Sequence, residues 1–158
     1  MNKTFIAVFL LFTLSSCENM DKTCKDDEKK LYSIFYNNEF EGAKDITYYK
    51  QMDILYNHFA KTLKSDDIPE ARLIFNKNRI HAGRLLNMSF MNDDLLLAEF
   101  FMNLGVSPFD GGKDYSTPIL HVIISRDWNE LDLIKKSQFK NHKNILDVEA
   151  FFEKCPAR

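Results

Sequence analysis

From residue 31 onward, apolar residues return every three or four positions along almost the whole chain, and that period restricts it to helices packed by one face. The clearest run follows Asp45: Tyr48, Tyr49, Met52, Leu55, Tyr56, Phe59 and Leu63 share one stripe over about four turns. Asp45 fits an N-cap, and the helix is expected to end near Ser65. Asp67 and Pro69 then offer a cap and a first-turn proline for a shorter helix through Leu73 and Phe75. Upstream, Leu31, Ile34 and Phe35 fall at i, i+3, i+4 behind the charged residues 25–30, which predicts another amphipathic helix. Residues 76–83 fit neither pattern. The acid pairs Asp26-Asp27, Asp66-Asp67 and Asp93-Asp94 each precede an apolar run, where negative charge suits a helix N-terminus. They read as helix starts, not as catalytic carboxylates.

Beyond residue 83 the helices come in short pairs. Residues 85–91 and 95–104 form one pair, ended by Gly105; residues 118–125 and 131–134 begin another. A turn rich in glycine and aspartate joins them, with Gly105 and Thr117 twelve positions apart. This resembles the ankyrin repeat, whose helix pair ends in Leu-x-x-Gly-Ala-Asp-x-Asn and restarts twelve residues later with Thr-Pro-Leu-His-x-Ala. The resemblance implies a left-handed Gly105 closing the outer helix, and Thr117 with Pro118 as cap and first-turn proline of the next inner helix. It places Ser89, and Val122 or Ile123, where inner helices stack. Val106 and Ser107 stand for Ala-Asp, and Leu120 holds the place of the family histidine unless one insertion brings His121 there. The match spans about residues 83–140, two repeats where three or more usually share a core, so the helices of residues 26–75 must supply the missing cap. The expected fold is all-α, a helical repeat of ankyrin-like pairs capped by N-terminal helices.

The N-terminus carries a different message. Lys3 precedes ten largely apolar residues, 5–14, and then Leu14-Ser15-Ser16-Cys17. Ten residues rise about 15 Å as a helix, half of a bilayer core, so the segment is an export signal and not a membrane span. Leu-Ser-Ser-Cys resembles the lipobox of bacterial lipoproteins, in which the cysteine takes a diacylglyceryl group and becomes the first mature residue. That implies a signal peptide over residues 1–16, a lipidated N-terminus and tether over 17–25, and a single domain over 26–158, held in the periplasm by a lipid on Cys17. Glu18, in place of the aspartate that retains such proteins at the inner membrane, favours the outer membrane.

Removing residues 1–16 from 158 leaves 142, enough for one modest core. The precursor has 21 basic and 23 acidic residues; losing Lys3 leaves a net charge of −3, with no basic block. Nucleic acid is excluded as a partner on that footing. With 45% hydrophobic and 13% aromatic residues the chain can bury enough surface to fold. Once Cys17 is assigned to lipid, Cys24 and Cys155 remain, and an oxidising periplasm invites a disulfide between them; the alternative is two thiols too far apart to bridge.

The chain carries few signals of chemistry. His58, His81, His121 and His142 lack a second ligand at the i+4 spacing that suits a metal, and Gly111-Gly112-Lys113 lacks the spacing of a phosphate loop. No activated nucleophile with its base is legible, so the expectation is a binding protein with no metal and no cofactor, not an enzyme. The joining loop displays Phe109, Asp110, Lys113, Asp114 and Tyr115, two aromatics among charges, and Trp128 follows at the next turn; these are the expected partner-binding residues. A small exported lipoprotein with such repeats is similar in organisation to immunity lipoproteins that neutralise phospholipase effectors of type VI secretion. The resemblance implies a protein partner, a toxin encoded by a neighbouring gene, whose active site is occluded. The alternative is a structural or assembly lipoprotein binding another envelope protein.

Overall fold

The chain reverses between helices by the same device three times. A residue in the left-handed region is followed by an aspartate that caps the next helix: Asp66 (φ 57°) then Asp67, Asp93 (φ 53°) then Asp94, and Arg126 (φ 55°) then Asp127. The caps are made by Asp67 Oδ1 accepting from the Glu70 N–H at 3.1 Å, Asp94 Oδ1 from the Leu97 N–H at 3.1 Å, and Asp127 Oδ1 from the Asn129 N–H at 2.7 Å. The left-handed residue brings the following N–H back onto the ending helix, as in Asp67 N–H to the Thr62 carbonyl (3.2 Å) and Asp94 N–H to the Ser89 carbonyl (2.9 Å). Each acid pair at these turns therefore does two jobs: the first closes a helix, which a short polar side chain tolerates, and the second opens the next.

The computed structural model describes residues 22–36, 45–113 and 115–156. Cys17, the signal segment and Asp114 lie outside the described residues. The helices are α1 (residues 22–35), α2 (Ile46–Lys64), α3 (Ile68–Lys77), α4 (Ala82–Met91), α5 (Leu95–Asn103), α6 (Ile119–Ser125), α7 (Trp128–Lys136) and α8 (Ile145–Lys154), with a 3-10 turn at Arg79–His81. Asp45 caps α2 through the Thr47 N–H at 2.8 Å, and Ser65 follows its end. The ambiguous residues 76–83 prove to be the end of α3, the 3-10 turn and the start of α4.

The described residues form no strand, and the fold is all-α and repeat-like. Helices α2 and α3, α4 and α5, and α6 and α7 are three hairpins; α4 packs on α6, α5 on α7, and α2 covers both α4 and α5. Phe101 lies at the centre, with ring centroids 5.1 Å from Phe59, 5.6 Å from Phe100 and 6.2 Å from Phe75. Where α4 faces α6, the buried Ser89 returns its hydroxyl to the Leu85 carbonyl at 2.8 Å, so a small side chain sits there with no orphaned donor. Gly105 closes α5 at φ 92°, as its place in the turn requires.

The N-terminal helices cap both ends of this stack. The α2–α3 hairpin covers one end, while α1 crosses to the other and docks on the last helices. Its Cys24 is bonded to Cys155 beyond α8, with Cα atoms 5.6 Å apart. Glu28 pairs with Arg126 at 2.7 Å, and Asp27 with Lys154 at 2.6 Å. Leu31 and Phe35 are buried on the inner face, but Ile34 is exposed, because Cys24, Leu31 and Phe35 set the stripe.

Three expectations need correction. Asp26-Asp27 does not start a helix, since α1 already runs from residue 22. For the same reason the folded body begins ahead of residue 26, and Cys24 is core rather than tether. Thr117 does not cap α6: Pro118 holds the N-cap position, and the buried Thr117 hydroxyl donates instead to the Phe35 carbonyl of α1 at 2.7 Å.

A disulfide spanning 131 residues lowers the entropy of the unfolded chain by an amount worth about 5 kcal/mol in the loop-closure model, an upper figure. Replacing both Cys24 and Cys155 by serine is expected to cost about 2–5 kcal/mol in urea unfolding. Hydrogen exchange should then rise first in α1, and unchanged exchange there would show that the buried Leu31 and Phe35, with the ion pairs and the Thr117 hydrogen bond, hold the helix without the bond.

Candidate functional site

The loop between α5 and α6 is pinned at both flanks, and its aromatics do the pinning. Phe109 is half-buried; its ring stacks on His142 at 3.6 Å between centroids and 7° between planes, and lies 5.8 Å from Phe35 of α1. The Pro108 carbonyl accepts the Ile119 N–H at 2.8 Å, tying the loop to the first turn of α6. Tyr115 lies across two glycines: a Cβ at Gly83 would stand 2.1 Å from its Oη, and one at Gly112 2.2 Å from its Cε1. Asp110 and Lys113 are exposed. Trp128 is 39% exposed, with its ring edge-on to Phe152 at 5.4 Å. The loop leads into α6 and Trp128 follows α6, so helix α6 (Ile119–Ser125), about 10 Å long, separates the two parts of the expected interface.

A second surface is built by the hairpin turns themselves. Exposed apolar side chains recur there: Ile68 after the first turn, Met91 and Leu96 around the second, Ile124 and Trp128 around the third. Because α4 packs on α6 and α5 on α7, the second and third turns abut. Each of these side chains leaves apolar surface in water that the core does not use.

Where those turns meet, Asp93, His121 and Glu130 bring one ligand atom each within 4.8 Å of one another. Asp93 is the left-handed residue of the α4–α5 turn, His121 lies on α6 and Glu130 in the first turn of α7. The Glu130 side chain is fully buried; its Oε2 accepts the Ser125 hydroxyl at 2.8 Å, while Oε1 has no hydrogen-bond partner and stands 3.8 Å from His121 Nε2. Burial pushes the Glu130 carboxyl up to about 7, against the Ser125 hydrogen bond, with Asp127 and Asp93 adding to the rise. Burial also holds His121 below the usual imidazole range, opposed by Asp93. Nearby, burial and then the Asp94 carboxylate, 3.3 Å away, push the Tyr56 hydroxyl up to about 12. The His121–Glu130 pair is nine positions apart, outside the i+4 spacing that marks two ligands on one helix, and only the turn geometry joins it to Asp93.

Among the described residues a groove of about 240 Å³ runs between α1 and α8, lined by Lys30, Leu31, Ile34, Ala150, Phe151 and Lys154. That is below the size of ordinary small-molecule sites, and the Asp27–Lys154 ion pair adjoins it. No family model, no curated protein and no solved structure matches the chain.

Two outcomes are expected. Gly83→Ala should drive Tyr115 off its seat and free the loop, so that trypsin cuts at the exposed Lys113 several-fold faster while helical circular dichroism holds. Glu130 keeps in the native state a proton that the unfolded chain, with a pKa of 4.5, has already released; its contribution to stability is full in acid and is lost as pH rises through about 7. With chelator present, the wild type should therefore lose up to about 3 kcal/mol relative to Glu130→Gln between pH 5 and 7.5. His121, whose lowered pKa works in the opposite sense, is common to both proteins.

Proposed function

We propose that this chain is a lipid-anchored periplasmic binding protein of ankyrin-like helix pairs, an immunity protein that neutralises a secreted lipase-type toxin by occluding its active site. The observation that carries the reading is the Cys24–Cys155 disulfide. Such a bond persists in an oxidising compartment, which is where a signal ending in Leu14-Ser15-Ser16-Cys17 would deliver the chain. The disulfide also begins seven residues after Cys17, so a lipid there would hold the domain within about 25 Å of the bilayer surface, where a lipase must act. Occlusion needs a firm, partly apolar face. The exposed row of Met91, Leu96, Ile124 and Trp128, carried on stacked hairpins, supports that use better than Phe109 and Tyr115, which are engaged in holding their loop.

The test is co-expression with the product of the neighbouring gene, followed by survival and co-purification. Rescue with a stable complex is expected, and Leu96→Ala with Trp128→Ala should weaken the complex at least tenfold, as hot-spot residues do. Cys17→Ala should abolish lipid labelling and reduce protection while leaving the complex intact. No rescue, no complex and an envelope defect on deletion would instead support the structural lipoprotein.

A further inference from the structure

We propose that Asp93, His121 and Glu130 bind a first-row divalent cation of the zinc type, at the junction of the second and third hairpin turns. The proposal goes beyond the toxin reading and stands or falls separately. Three ligand atoms, an imidazole nitrogen and two carboxylate oxygens, already lie within 4.8 Å of one another. Donors of a tetrahedral metal at about 2.1 Å sit about 3.4 Å apart, so the site closes with a contraction of up to about 1.4 Å. Asp93 is exposed at a turn and its side chain supplies that movement.

The independent sign of a missing partner is Glu130. Its side chain is fully buried, yet Oε1 accepts no hydrogen bond and faces His121. A buried carboxylate oxygen left unpaired is costly, and polar side chains in this position ordinarily have a partner. Its other oxygen is fixed by Ser125 at 2.8 Å, which orients Oε1 toward the cluster as an outer partner orients a metal ligand. The imidazole and the small number of protein ligands argue for zinc over calcium or magnesium, which take oxygen donors, calcium in larger number and magnesium with several waters. Three protein ligands leave a position open on the exposed Asp93 side, for water or for a donor from a bound partner.

The experiment is calorimetric titration of the purified, chelator-stripped protein with zinc chloride near neutral pH, with the melting temperature followed in parallel. One saturable site per chain is expected, with a rise in melting temperature on zinc addition. Asp93→Asn and His121→Ala, whose side chains are not fully buried, should keep the helical spectrum and lose at least about tenfold in affinity, along with the thermal shift. Glu130→Gln should behave likewise. Magnesium should not compete. Absence of saturable zinc binding by the wild type, or binding that neither Asp93→Asn nor His121→Ala weakens, would overturn the proposal. Loss of zinc binding with toxin protection intact would separate this site from the binding reading, and failure of toxin protection with zinc binding intact would leave it standing.

Discussion

A stack of helix hairpins has two open ends, and each exposes the apolar face of its last pair. Everything else in this structure depends on how those ends are closed. The α2–α3 hairpin covers one in the ordinary way, as a neighbour in sequence. At the other, the cover comes from the opposite end of the chain: α1 places Leu31 and Phe35 over the C-terminal half and is locked there by the Cys24–Cys155 bond. Thr117 gives up the capping role that its place in the turn suggests, so that its hydroxyl can satisfy the last carbonyl region of α1 at Phe35. One polar side chain thus joins the start of α6 to the end of α1, and Phe109 and His142 stack beside it. The contact is non-local, so it forms only after a long loop has closed, and the disulfide offsets that entropy.

Elements whose signals are local were legible. Asp45, Asp67 and Asp94 announce helix starts because a cap is an interaction across two or three residues, and Gly105 announces a stop for the same reason. The Tyr48 to Leu63 stripe gave α2 its face, since a long helix samples its period many times. Short helices sample it poorly. Helix α8 carries Ile145, Val148, Phe151 and Phe152 at helical spacing, a signal that was present but brief and set beyond the paired region. The seat of α1, the fate of Thr117 and the inward turn of Phe109 and Tyr115 depend on contacts between residues far apart in the chain, and no window of sequence contains them.

The repeated turn explains how a chain with few glycines builds tight hairpins. A left-handed residue followed by a capping aspartate needs only two positions, and aspartate tolerates the first of them better than most side chains. The third turn uses Arg126, whose guanidinium reaches Glu28 of α1 and lies 5.2 Å from the Phe151 ring centroid. Strain at that position is thereby coupled to the docking of α1: the contacts that hold the helix also hold the turn.

The same geometry produces the cluster at Asp93. Stacking α4 on α6 and α5 on α7 brings one turn over the next, so a residue that closes a helix in one pair meets residues that open a helix in the following pair. Turn residues are polar because turns are exposed, and polar residues brought together from two turns leave water only partly excluded. Glu130 is the exception, since the first turn of α7 faces inward at that point and carries its carboxylate into the interior. An aliphatic residue there would pack at no desolvation cost, and a glutamine would bury no charge. A buried carboxylate with one oxygen held and the other bare needs a partner. Below about pH 7 a proton meets that need; above it Oε1 is a bare anionic donor facing the His121 imidazole. A cation from solution suits both residues at once, since it takes the bare Oε1, the His121 Nε2 that stands 3.8 Å from it, and the Asp93 carboxylate together.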